Sequence, residues 1–364
     1  MVGEAHLRYR YKKNDAGKFI KSATIYTAAE HKINQADVDP QAAYICEKLN
    51  NEGFETYIVG GAVRDLLLKK VPKDFDIASA APPSKIKRFF GNSRIIGKRF
   101  RLVHIFFGEK IFEIATFRSL GNGADGNTFG TIDDDVKRRD FTMNALFYDP
   151  QKQLVLDYVG GFEDINDRKI KPIIPLKTIF EDDPVRMIRA VKYAVLSDFK
   201  LPFFLREKIK NSSSFLKRIS DSRLTEEIAK ILKSPQAGKI IEALASMGLY
   251  VHLQPRASKL IAESAPFRTR YFTTLSKLNR HDSAEHDEYT ESLSGGLGAL
   301  VRDYIDDSIC WKETTEESYR ETFRLARKFV LPINPPRMEL GRAIRDIYAE
   351  HGITVKKWRN FDRR

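Results

Sequence analysis

Cysteine is scarce. Only Cys46 and Cys310 occur in 364 residues. They stand far apart and outside any metal-ligand spacing, so neither a disulfide framework nor a cysteine zinc site is expected. Long apolar runs are missing too: none approaches the roughly 20 residues needed to cross a bilayer. The opening MVGEAHLRYRYKK has no apolar core of the signal-peptide kind, and a cytoplasmic location is expected. Internal repeats and low-complexity tracts are absent. Negative charge is in deficit, with 49 Asp and Glu against 62 Lys and Arg and a net charge of +13. That balance favours an anionic partner, nucleic acid or a membrane surface. Without an apolar span the membrane reading is the weaker one, and none is expected.

What is present fits a folded chain. Hydrophobic residues make up 42%, enough for globular cores, and the length calls for two or three domains. The polar, basic start interleaves aromatics with cations in RYRYKK (Arg8 to Lys13). It reads as a solvated, partly disordered arm, or as a place where single-stranded RNA stacks. From about Gln41 to Arg118 helices and strands alternate. AAYICEKLN is a helix, FETYIVG a strand, GAVRDLLL a short helix and DFDIAS a strand. PPSKIKRFFG is then a helix and SRIIGK a strand, before LVHIFFG and KIFEIATFR form a hairpin turned at GEK. This is a domain with a mixed sheet. GNGADGNTFG is a glycine-rich break, expected to be mobile. Beyond Pro172 the pattern turns helical. DDPVRMIRAVKYAV has acids first and cations later. RLTEEIAKIL sets Leu224, Ile228, Ile231 and Leu232 on one face, and QAGKIIEALASMGL follows. Asn279 to Gly298 reads as a linker or long loop. From Phe323 to the end eleven Lys and Arg face four acids, a charge footprint for RNA.

Asp74 and Asp76 interrupt an apolar stretch. On a strand, residues two apart share a face, so both carboxylates project together. They repel unless a cation neutralises them. Mg²⁺ prefers hard oxygen ligands and also binds phosphates. Glu113, mid-strand in FEIATFR, is the candidate third carboxylate of a two-metal site, in which an attacking hydroxyl is activated and a leaving pyrophosphate stabilised. A lone D-x-D is common on solvent-facing edges, so context decides. Gly60 and Gly61 sit between a strand and a helix, where backbone N–H groups can approach a phosphate. Their spacing is not that of a dinucleotide fold. Arg64 follows on the same helix.

VGGAVRDLLL with PKDFDIAS resembles the head motif of the class II tRNA nucleotidyltransferase and bacterial poly(A) polymerase family. Four more stretches agree in order: RRDFTMNAL (Arg138 to Leu146), LDYVGGFEDINDRKI (Leu156 to Ile170), DDPVRMIRA (Asp182 to Ala190) and DSRLTEEIAKIL. The match spans roughly residues 30 to 250. It implies an α+β chain with an N-terminal nucleotidyltransferase head, polymerase beta-like with a mixed sheet, followed by an all-helical neck, body and tail. The expected divisions are a basic arm over 1–35, the head over 36–173, the neck over 174–250 with base-reading and RNA-binding motifs, and the body and tail over 251–364. The implied catalytic and metal residues are Asp74, Asp76 and Glu113, with two Mg²⁺ ions that Mn²⁺ can replace. Gly60, Gly61, Arg64, Arg138, Arg139, Asp140, Asn144, Asp183, Arg186 and Arg189 are the implied nucleotide-binding set. Within it, Arg138 and Arg139 meet triphosphate oxygens, and Asp140 or Asn144 bonds a ribose hydroxyl. Otherwise Asp140 is a helix N-cap and the arginines lie on the surface.

The resemblance extends to base choice. If Asp183 and Arg186 lie in one helix they share a face, and Arg189 extends it. Aspartate accepts hydrogen bonds and arginine donates them. Adenine and cytosine present a donor beside an acceptor, while guanine and uracil reverse the order, so one Asp/Arg pair selects ATP and CTP without a template. The family usually has Glu before this aspartate, where this chain has Asp182. His281 to Asp287 has metal-like spacing but no apolar frame, and His104 among apolar residues reads as structural or near the site. GKRFRLVHIFF, NTFGTIDDDVKRRDFTMNAL and EHKIN lean toward the bacterial poly(A) polymerases. CCA-adding members carry a D-G-R-R-P type segment where this chain has GNGADGNTFG. The expected activity is template-independent addition of AMP from ATP to RNA 3′ ends, of mRNA or tRNA, with no obligate protein partner. CCA, CC or A addition to tRNA, from ATP with CTP as a further candidate substrate, is the alternative. A catalytically silent RNA-binding protein on the same fold ranks last, because all three carboxylates are present.

Overall fold

A computed structural model describes residues 9–14, 16–97, 102–119, 129–279 and 292–356. Most of the glycine-rich break, the His281 to Asp287 cluster and the tail beyond Lys356 lie outside them. The chain divides into two compact units, residues 1–175 and 176–364.

In the first unit nine strands form one mixed sheet among the described residues. They are β1 (Tyr9–Lys13), β2 (Phe19–Tyr26), β3 (Thr56–Val59), β4 (Asp76–Ser79), β5 (Ser93–Ile96), β6 (Leu102–Phe107), β7 (Lys110–Thr116), β8 (Leu146–Asp149) and β9 (Leu154–Asp157). Their spatial order is β1-β2-β9-β8-β3-β4-β7-β6-β5. Of these pairings only β4 with β7 is parallel. The helices are α1 (Ala28–His31), α2 (Pro40–Asn51), α3 (Gly61–Leu67), α4 (Pro83–Phe89), α5 (Ile132–Arg138) and α6 (Gly161–Asn166). Asp39 starts α2 by accepting the N–H groups of Gln41 and Ala42, and Pro40 suits the first turn. The helix buries Ala42, Ile45, Cys46 and Leu49, and burial pushes the Cys46 thiol up, out of reach of thiolate chemistry. On one sheet face Tyr57, Val59, Ala78, Phe147 and Leu156 pack with Ile132 and Val136 of α5.

From Tyr9 on, the basic start is not a solvated arm. Residues Tyr9 to Tyr26 form a hairpin, and β2 pairs with β9 through Thr24 to Asp157, Ile25 to Leu156 and Tyr26 to Val155. Tyr26 stacks on Phe162 with ring centroids 3.9 Å apart. Aromatic and β-branched residues suit a pleated, half-buried surface, and that preference outweighs the charge of the segment.

The second unit is helical: α7 (Ile179–Asp182), α8 (Val185–Ser197), α9 (Phe203–Ser212), α10 (Asp221–Leu232), α11 (Ala237–Ser246), α12 (Tyr250–Leu253), α13 (Pro255–Glu263), α14 (Ala265–Ser276), α15 (Leu293–Ser308), α16 (Tyr319–Val330) and α17 (Arg337–Glu350). Leu224, Ile228, Ile231 and Leu232 are all buried on α10, as their spacing predicts. The stretch read as the end of a linker is different. Ser294 to Gly298 lies inside α15, where Ser292 caps the helix by accepting from Gly295 N–H at 3.0 Å. A Cβ on Gly296 would fall 2.7 Å from the Leu232 Cβ. Glycine stands there because α15 approaches α10 closely, so helix packing, not chain flexibility, explains it. No helix of the described residues is long and apolar enough to cross a membrane.

Candidate active site

The first unit sets Asp76 and Glu113 on one sheet face. Strands β4 and β7 run parallel with Ile77 opposite Ile114 and Ala78 opposite Ala115. Asp76 at the start of β4 and Glu113 in the middle of β7, one residue earlier on each strand, therefore lie side by side on a common face. The cluster that buries Val59 and Ala78 covers this face on one side, and Asp76 comes where the cover ends. Asp76 keeps contact with solvent, yet dense protein surrounds it. That crowding, then the negative charges of Glu113 and Asp74, pushes its carboxyl up to about 6 against the pull of Arg139.

Asp74 is placed differently from expectation. Strand β4 begins at Asp76, so Asp74 lies in the approach to the strand. It is exposed and lines a cavity of about 720 Å³ with Lys73, Phe75 and Phe112. Among the described residues no three carboxylates, histidines or cysteines stand ready-made as a metal shell. The donor set nevertheless suits a hard divalent cation. Three carboxylates close enough to raise the proton affinity of one are relieved by positive charge between them. His104 is opposite Glu113 on β6 and its Nε2 lies 3.5 Å from the Glu113 Oε2. It borders the site rather than serving the core alone.

Next to the carboxylates lies a cluster of arginines. Ala115, two residues along β7 from Glu113, lines a cavity of about 230 Å³ with Arg118, Asp135, Arg138 and Arg139. Burial, then the neighbouring Arg118 guanidinium, pulls Arg138 below its ordinary value. Like charges held together in a concavity favour an anion. Arg138 donates to the Ser119 carbonyl at 3.2 Å. Arg139 is braced by Asp135 at 2.9 and 3.0 Å, donates to the Asn144 carbonyl at 3.0 Å and lies over Phe147. The Asn144 side chain accepts from buried Arg64 at 3.0 Å. Asn144 thus links two arginines that are 75 residues apart in sequence. Arg118 and Asp135 were missed by sequence reading, although ATFR ends on Arg118.

The glycine pair fits between these groups. Gly60 has φ 70° and ψ −129°, a conformation that favours glycine. A Cβ on Gly60 would sit 3.7 Å from Arg139 Nη1, and one on Gly61 3.6 Å from Arg64 Nη2. Asp140 is not a helix N-cap: its Oδ1 accepts from the Phe141 N–H, and the following 3-10 turn is capped by Phe141.

The second unit holds Asp183, Arg186 and Arg189. Asp183 does not share a helix with Arg186. It is extended at φ −150° and ψ 96°, between α7 and α8, because Pro184 follows it. Its Oδ1 accepts from Val185 N–H at 3.1 Å, and its Oδ2 pairs with Arg223 of α10 at 2.7 Å. Arg186 donates to the Ile179 carbonyl at 3.0 Å. Arg189 reaches Glu227 at 3.1 Å, and Lys192 meets the same carboxylate at 3.4 Å. Burial opposes charge on Glu227, but Lys192 and then Arg189 outweigh it and hold its carboxyl below the ordinary value. Burial wins at Lys192, whose ammonium is pulled down, because two cations share one carboxylate. The aspartate and arginine expected to pair are therefore each engaged elsewhere, and Arg223 joins the set from the fifth motif.

Comparison with known proteins bears on this geometry. Residues 56–171 match a family described as poly A polymerase head domain, and residues 198–261 match one described as the probable RNA and SrmB-binding site of polymerase A. Residues 56–171 carry the head domain of the poly(A) polymerase family, and the chain is similar to both poly(A) polymerases and CCA-adding enzymes. It is 38% identical over 266 residues to poly(A) polymerase I of Salmonella typhi, covering 69% of this chain and 55% of that one. It is 34% identical over 241 residues to the CCA-adding enzyme of Geobacillus kaustophilus, covering 64% and 59%. The chain thus spans a little over half the length of these curated relatives. A solved CCA-adding enzyme of Bacillus stearothermophilus in complex with CTP aligns over 86% of this chain and 83% of its own, at 25% identity and a TM-score of 0.58.

Proposed function

We propose that this chain adds AMP from ATP to RNA 3′ ends without a template. One observation carries the reading: Asp76 and Glu113 share a sheet face with a three-arginine cavity. Such a site joins ligands for a divalent cation to a cradle for polyphosphate. Asp76, Glu113 and Asp74 would hold Mg²⁺ or Mn²⁺, which supplies activation of the attacking hydroxyl and charge neutralisation at the leaving pyrophosphate. Arg118, Arg138 and Arg139 hold the triphosphate by charge-assisted hydrogen bonds. Gly60 and Gly61 let backbone approach it. Asn144 keeps Arg64 and Arg139 oriented, and Asp140 meets the ribose. The RNA 3′ oxygen then bonds to the α-phosphorus, the bond to the β-phosphate oxygen breaks, and pyrophosphate leaves.

The Asp183 and Arg223 pair, with Arg186, supports base choice in the second unit. Asp183 accepts and the arginines donate, which matches the amino and ring-nitrogen edge of adenine or cytosine. A second reading, CCA-type addition to tRNA, is favoured by the likeness to CCA-adding enzymes. Work in the cytoplasm belongs to both readings, on mRNA or tRNA in the first and on tRNA in the second.

A primer-extension assay with Mg²⁺ tests both. Each nucleotide is offered separately, with a generic RNA primer and with tRNAs ending before CCA, after C and after CC. Long ladders from ATP on the generic primer are expected. Additions of one to three nucleotides, confined to tRNA ends and using CTP, replace the first reading by the second. Asp76→Ala should lower extension by at least about a hundredfold, since the lost interaction is worth several kcal/mol. Full activity in that variant removes the carboxylate assignment.

A further inference from the structure

The hairpin β1–β2 lies outside both matched family segments, and none of the chemistry above uses it. Its two faces differ. One face meets the head: Arg10 pairs with Glu55 at 2.6 Å, Lys12 pairs with Asp133, and Ala23 is buried. On the other face Tyr11 stands opposite Lys21 and Lys13 opposite Phe19. Residues directly opposite in a ladder share a face, and alternation adds Tyr9. Contacts agree. Lys21 lies 3.9 Å from the Tyr9 ring centroid, Lys13 lies 5.4 Å from that of Phe19, and the Tyr9 and Tyr11 rings stand 6.4 Å apart.

The cations on the head side are neutralised by carboxylates. Lys13 and Lys21 have no carboxylate partner among the described residues and rest on aromatic rings instead. Phe19 is 69% and Tyr11 52% exposed. Neither Leu, Ile nor Val shares this face, so it does not resemble the apolar core of a protein interface. Rings interleaved with unpaired cations, on a hairpin joined to the sheet through β9, match the needs of unstacked bases and their phosphates.

We propose that the outward face of this hairpin binds single-stranded RNA. Bases stack on Tyr11 and Phe19, with Tyr9 beside them, and Lys13 and Lys21 meet phosphates. The site is remote from the carboxylates. Five strand steps separate β1 from β4, about 24 Å at roughly 4.8 Å per step. The outward face of the hairpin is opposite the face that carries Asp76, so an RNA must also pass round the sheet, and more than about seven nucleotides at roughly 3.4 Å each are needed. The hairpin therefore holds the body of an RNA whose 3′ end lies in the head. The proposal rests on RNA being the substrate, and direct binding tests it apart from catalysis.

The test uses the full chain and a fluorescein-labelled 20-nucleotide oligo(A), read by anisotropy without ATP. Tyr11→Ser with Phe19→Ser should weaken binding by roughly tenfold or more. Lys13→Gln with Lys21→Gln, exposed positions that leave folding intact, should flatten the salt dependence by about 1.4 in log–log slope. Both variants should extend a four-nucleotide primer normally while KM for the 20-mer rises at constant kcat. Unchanged binding of the 20-mer overturns the proposal. So does equal loss on the 4-mer and the 20-mer, or retention of RNA binding with loss of binding to an acidic peptide or anionic vesicles. Asp76→Ala should bind the 20-mer like the parent. If that variant still extends primers while the hairpin variants lose binding, the catalytic assignment fails and the hairpin site stands.

Discussion

His31 shows how one side chain couples the fold to pH. Its Nδ1 accepts from the Ile33 N–H at 3.0 Å, so its Nε2 carries the proton and donates to the Gln153 carbonyl at 3.0 Å. Burial, despite that second bond, pulls its pKa below the ordinary value. The folded state therefore disfavours imidazolium. The stability this group contributes is present above the unfolded value near 6.5 and is lost as pH falls through the lower folded value. Thermal unfolding followed from pH 7.5 to pH 5 should show a falling Tm, and His31→Gln should blunt the fall. An undiminished fall in the variant assigns the acid sensitivity to other groups. His31 was invisible in the sequence reading, because EHKIN offers no hint that Gln153 closes over it.

At the scale of elements, α8 and α10 are joined through a buried carboxylate. Glu227 is 2% exposed and holds both Arg189 and Lys192. Removing it leaves Lys192 buried without a counter-charge. Glu227→Ala should cost about 3–5 kcal/mol, measured by denaturant unfolding, and Glu227→Gln should cost less because it still accepts a hydrogen bond. Equal and small losses in both would mean that apolar packing alone joins these helices. The hydrophobic stripe of α10 was legible, since its spacing is a property of the helix itself. The partner of Arg189 was not, because Glu227 lies 38 positions away and only packing selects it. Asp183 was read into a helix that Pro184 forbids it to join.

At the scale of the whole molecule, charge sets the mode of binding. With a net charge of +13, affinity for RNA should fall with salt by about 0.7 in log slope for each phosphate neutralised. Five contacts predict a loss of about a hundredfold between 50 and 200 mM KCl. A slope near zero, in titrations with oligo(A), would show that phosphate contacts do not drive binding.

The sequence by itself determined the head's alternation of helices and strands, the helical second half, the carboxylates and the ordered motifs. Each is carried by local period, by spacing or by residue chemistry. Tertiary structure alone decided which distant groups meet. Asp76 and Glu113 became neighbours only through the parallel pairing of β4 with β7. Arg118 joined Arg138 and Arg139 around one cavity, Asn144 linked Arg64 to Arg139, and Arg223 claimed Asp183. The basic start became two strands because β9 offered an edge to pair with and Phe162 a ring to stack on. Such contacts depend on register and packing between segments far apart in the chain, and local pattern does not encode them.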